Sequence, residues 1–171
     1  MKAFFQRNAI VLSLSTFLYI LGFGAGLLVP DIMELSHRQP EYSSVEYARN
    51  NLSVAALLMV GFITLGLYTA TLLLINGFLT GAAIAANLGQ FSLLFIGSAL
   101  IPHGILEVPG LLLAGAVGLK SAEWCISIFW GRNTPSFPYD CLRGGICAVL
   151  LILLAAPIEA HITPWLLLHM K

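Results

Sequence analysis

The chain has 171 residues, 58% hydrophobic and 9% charged, with eight basic and eight acidic side chains and a formal net charge of zero. A soluble domain carries about 25% charged residues, so this chain has too few polar groups to cover its own surface, and a soluble globular fold is excluded. The sparse, even charge also excludes a basic run for nucleic acid and an acidic solvating tail.

The composition predicts an all-α, polytopic helix bundle, a single integral membrane domain over residues 1–171 with the lipid bilayer as its solvent. A bilayer core about 30 Å thick takes roughly 20 apolar residues per helix, which permits roughly five spans. Lys2 and Arg7 precede the first apolar stretch, residues 9–30. It exceeds the roughly 7–15 residues of a signal-peptide core and ends without an A-x-A site, so it reads as a retained first span. Its Gly22, Gly24 and Gly26 would let a second helix approach closely. Residues 31–50 form a polar segment on the external side. Within it Ser43 and Glu46 fit a capping box, each satisfying a free amide of a helix that begins there. The formal sequon Asn51-Leu52-Ser53 lies too near the apolar run to be an acceptor.

Residues 51–89 are nearly all apolar, too long for one span and barely enough for two. Gly61 and Gly66 bracket the expected turn, giving spans near 51–65 and 67–88. Gly77 and Gly81 form a G-x-x-x-G pair, a groove for a neighbouring helix, and Asn76 beside them is expected to bond across to another helix. The fourth span, near 92–119, carries Pro102, Gly104 and Pro109. Lost N–H groups and glycine freedom predict a broken or kinked helix there, which at membrane depth persists only where protein or water satisfies the freed backbone. Residues 120–143 read as a mixed connection, with Trp124, Trp130 and Tyr139 suited to the interface and a loop around Asn133 set by Pro135 and Pro138. The last span lies near 144–168 and contains Pro157, Glu159, His161 and Pro164. Cys125, Cys141 and Cys147 make no CxxC pair, which argues against a disulfide framework or zinc site and for inert, small apolar side chains.

Five spans put Lys2, Arg7, Lys120, Arg132 and Arg143 on one side and Arg38, Arg49 and Lys171 on the other. That bias predicts a multi-pass protein of the cell membrane with a cytoplasmic N-terminus.

Inside the predicted spans there is no Lys or Arg, yet there are His103, Glu107, Glu159 and His161. An acidic side chain at the centre of a membrane helix costs about 2.5–3.5 kcal/mol on insertion scales. Such groups must be protonated, paired, metal-bound or facing water. His103 and Glu107 stand four positions apart and share a face if the helix continues between them. Counted along the helices, His103 lies roughly 16 Å and Glu159 roughly 14 Å below the outer ends of their spans, at similar depth. Three accounts of this cluster stay open. It locks the bundle through hydrogen bonds; it forms an ion or proton site in a transport path, with backbone ligands from a broken helix; or it holds a metal in an intramembrane hydrolase. Neither HExxH nor G-x-S-x-G occurs in the sequence.

Several features then coincide: Asn50-Asn51-Leu52, Asn76-Gly77 with Gly81, the stretch from Pro102 and His103-Gly104 through Glu107 to Pro109, Gly115 with Gly118, and Glu159 ahead of Thr163-Pro164. Over nearly its whole length the sequence resembles the stage II sporulation protein M family of small multi-pass membrane proteins. The resemblance implies an all-helical membrane protein without enzymatic activity, and places His103, Glu107 and Glu159 at the family's polar positions. It also implies, for the founding branch in spore formers, a membrane complex with sporulation proteins D and P that remodels peptidoglycan during engulfment. The His-Gly-x-x-Glu form is typical of the wider family, much of it in organisms that never sporulate.

The expected function is thus a non-enzymatic membrane scaffold or transport-associated subunit with a buried His/Glu cluster and no cofactor. The alternatives are an ion, proton or small-solute transporter and, second, an intramembrane metallohydrolase. The glycine faces leave room for a homo-oligomer and for other membrane-protein partners.

Overall fold

The structure, a computed structural model, describes residues 2–29, 43–131 and 136–169. The polar residues 31–42, Pro30, Asn133, Pro135 and Lys171 lie outside them. In order, the elements are α1 (Lys2–Arg7), α2 (Ala9–Leu27), α3 (Ser44–Val60), a 3₁₀ turn (Gly61–Thr64), α4 (Leu67–Leu88), α5 (Leu93–Phe129), α6 (Phe137–Pro157), a π turn (Ile158–Ile162) and α7 (Thr163–Leu168). The described residues are all-helical. Four helical stretches are long and apolar enough to cross a membrane: Ala9–Leu27, Leu67–Leu88, Leu93–Phe129 and Phe137–Leu168. The fifth expected span falls on α3, whose 17 residues are polar in the first half and apolar only toward Val60.

α3 starts at the capping box: Ser43 accepts from the Glu46 amide, and the Glu46 carboxylate accepts from the Ser43 amide. It ends in the 3₁₀ turn, after which Leu65 and Gly66 take left-handed backbone angles, φ 52° and 81°. Two successive left-handed residues reverse the chain sharply. Glycine suits the second, where no Cβ opposes a positive φ.

The seam between α2 and α4 is made of backbone. On α2, Val11, Ser15, Tyr19, Gly22 and Gly26 are buried; on α4, Thr69, Leu73, Gly77, Gly81 and Ala82 are. Spacings of three and four put each set on one stripe. A Cβ at Gly22 or Gly26 would overlap the carbonyl oxygens of Leu74 and Phe78, and one at Gly77 or Gly81 those of Tyr19 and Phe23. Contacts advance together along both helices, so α2 and α4 run parallel. Gly24, expected to help, faces open space because it is two residues from each neighbour and lies off the stripe. Asn76 donates to Leu72 O of its own helix rather than across the bundle. The carbonyl four residues back is its nearest acceptor.

α5 is the central helix. Gly118 lies against Leu58 and Thr69, Gly115 against Ser15 and Leu73, and Gly110 against Ala148 and Ile152. The core collects around Leu58, Leu73, Leu111, Ala114, Leu119, Ala148 and Ile152. The expected break at Pro102, Gly104 and Pro109 does not interrupt this helix, which runs 37 residues with both prolines inside. Each proline leaves one carbonyl without its usual donor, but hydrocarbon offers carbonyls no other partner, so the flanking bonds keep the helix going. Its last turns also absorb residues 120–129, expected to be connection. The irregularity sits instead on the last helix. There the Thr163 amide donates to Ile158 O, five residues back, between Pro157 and Pro164.

One end of the bundle is a charged and aromatic belt. Arg7 donates two bonds to Asp140, Nη2 to Oδ1 at 2.7 Å and Nε to Oδ2 at 3.1 Å. Buried Lys120 pairs with Glu123. Trp124 stacks on Phe137, and the Arg143 guanidinium lies 5.0 Å from the Tyr139 ring centre. Aromatic rings and arginines of this kind mark a membrane–water boundary. Outer faces carry large exposed apolar side chains such as Ile10, Phe17, Ile101, Ile105 and Leu154, a surface suited to lipid.

Candidate functional site

α5 and the last helical stretch run antiparallel, with Val117 beside Gly144 and His103 near Thr163. Because α5 is unbroken, His103 and Glu107 are one turn apart on a single face. Glu159 reaches them from the π turn. Single ligand atoms from His103, Glu107 and Glu159 all lie within 4.8 Å of one another, and all three residues are half-buried. Counted along α5 from Lys120 at the charged belt, Glu107 and His103 lie about 20 and about 25 Å away. The cluster is therefore inside the bundle but toward the opposite end.

Its partners are few. His103 Nδ1 is 3.4 Å from the hydroxyl of buried Thr163. Tyr19, absent from the sequence-based site, shares a 3.0 Å hydrogen bond with Thr80. Glu159 Oε2 is cut off from solvent and has no hydrogen-bond partner among the described residues. Buried carboxylate oxygens are ordinarily satisfied, and two carboxylates this close cannot both ionise without a counter-charge. The described ion pairs, Arg7–Asp140 and Lys120–Glu123, lie at the other end of the bundle. Chemically, one imidazole and two carboxylates at this spacing can take up positive charge, as protons or as a cation.

His161, expected in the cluster, stays outside it. The ring is exposed, with Nε2 3.2 Å from Ser44 Oγ at the start of α3. Positions two apart on a helical turn point to different sides, so Glu159 and His161 do not both face α5. Pro102, Gly104 and Pro109 share α5 with the cluster and are helical. A Cβ at Gly104 would meet nothing within 4 Å. The π turn had no distinct sequence signal beyond the paired prolines; such turns occur frequently at functional sites. The Arg7–Asp140 pair joins residues 133 positions apart and leaves no local pattern.

Comparison with known proteins gives a consistent assignment. The family model described as stage II sporulation protein M matches residues 15–164. An uncharacterized protein of Methanocaldococcus jannaschii is 30% identical over 164 residues, which cover 88% of this chain and 92% of that one. No solved structure matches.

Proposed function

We propose that this chain, which belongs to the stage II sporulation protein M family, is a non-enzymatic, transport-associated membrane subunit whose bundle carries a centre for a cation or proton. The observation behind this reading is the meeting of His103, Glu107 and Glu159 with one carboxylate oxygen left unpartnered inside the bundle. Ionisable groups sunk among membrane helices mark ion or proton sites by default. Five crossings fit best. The parallel run of α2 and α4 supports a return of the chain between them through α3, about 26 Å long. The belt of Arg7, Lys120 and Arg143 then faces the cytoplasm, with the N-terminus on that side.

A second reading, a scaffold for other membrane proteins, draws on the backbone-to-backbone α2–α4 seam, which makes a rigid platform. Glu107→Gln separates the two. Purified chain in liposomes, with a pH- or metal-sensitive dye inside, should show gradient-driven flux that the substitution lowers at least tenfold while the helices stay folded. Equal flux in parent and variant, or none in either, would leave the scaffold reading and remove transport.

A further inference from the structure

We infer that His103, Glu107 and Glu159 form a binding site for one divalent transition-metal ion of the zinc class, with a fourth coordination position left open. The inference rests on the ion-centre reading above and chooses the ion. Three features point to it.

The first is the donor set. One imidazole nitrogen and two carboxylate oxygens suit zinc, at about 2.0–2.2 Å each. Calcium takes six or more oxygens, and magnesium prefers a nearly complete oxygen octahedron. Softer copper(I) selects sulfur, which this cluster lacks. Ligand atoms round a tetrahedral zinc stand about 3.4 Å apart. The observed spread, within 4.8 Å, is near that spacing, and binding would draw the ligand atoms together.

The second is charge. A neutral imidazole and two carboxylates carry two negative charges, and a divalent cation brings the group to zero. A neutral assembly is what a low-dielectric interior accepts, whereas either carboxylate alone and ionised is strongly disfavoured there. The third is the unpartnered Glu159 Oε2, an acceptor aimed into the protein with nothing bonded to it among the described residues. Around the site, His103 Nδ1 meets the Thr163 hydroxyl, the kind of outer contact that fixes the ring of a ligating histidine. Structural zinc sites use four protein ligands; three leave a place for water or a passing ligand.

The full chain in detergent, stripped with a chelator, would be titrated separately with Zn²⁺ and Mg²⁺ and read by calorimetry and elemental analysis. Expected are one Zn²⁺ per chain, no saturable Mg²⁺ binding, and zinc affinity reduced more than 100-fold in Glu107→Gln and in His103→Gln. His161→Ala should bind zinc as the parent does. Circular dichroism checks that each variant is folded. Absence of stoichiometric zinc in the folded parent, undiminished binding in both ligand variants, or loss caused by His161→Ala would each overturn the assignment. Because binding is measured without a gradient, a bound ion with no flux would remove the transport reading and leave the metal site standing.

Discussion

Gly77→Val is expected to separate α2 from α4 and to be among the most damaging single substitutions in the bundle. At Gly77 the neighbour is not a side chain that can turn away but the backbone of Tyr19 and Phe23. A branched side chain there requires one whole helix to retreat. That movement also opens the contacts of Gly81 with Phe23, Gly22 with Leu74 and Gly26 with Phe78 on the same stripe. Overpacking a tight site costs about 1–3 kcal/mol, and more when backbone must shift. At the upper end this lowers the thermal midpoint by about 6–12 °C, on the scaling for chains of this size. Thermal unfolding in detergent, followed by loss of the monodisperse species, measures it. Gly24→Val is the control, since a Cβ at Gly24 meets nothing within 4 Å. Equal losses at positions 77 and 24 would mean that the helices are not held by a close backbone seam.

The second large effect has the opposite sign. Glu159→Met should raise the thermal midpoint of the metal-free chain. The parent buries a carboxylate oxygen with no partner, a defect of about 1–3 kcal/mol, and methionine fills the same space without a polar atom. Zinc should then stabilise the parent and leave the variant unchanged, because a ligand that binds only the folded state adds stability in proportion to its affinity. If the metal-free variant is less stable than the parent, Glu159 is satisfied in solution, and its unpartnered oxygen no longer supports an ion centre. A residue that weakens the empty fold and tightens the loaded one is a functional residue held against stability.

These two positions also show what was legible before any fold was known. Gly77 and Gly81 announce a helix groove by their spacing, but only packing tells that the partner is α2, since nothing local distinguishes one apolar stripe from another. The absence of Gly24 from the seam follows from helical phase once the stripe is fixed. Pro102, Gly104 and Pro109 read as a break because propensities are learned largely in water; with hydrocarbon outside, a continuous α5 leaves fewer carbonyls without donors.

By itself the sequence determined the solvent, the helical class, the capping box at Ser43 and Glu46, and the turn at Gly66; that His103 and Glu107 share a face awaited the continuous α5. What it determined depends on composition or on residues within a turn or two of each other, where the periods of the chain dictate the outcome. Tertiary structure decided the rest. It brought Glu159 to α5 and turned His161 toward Ser44, and it paired Arg7 with Asp140 across 133 positions. The reason is register. How far one helix slides along another is set by which small residues meet which backbones, a sum over many weak contacts that no short stretch of sequence contains.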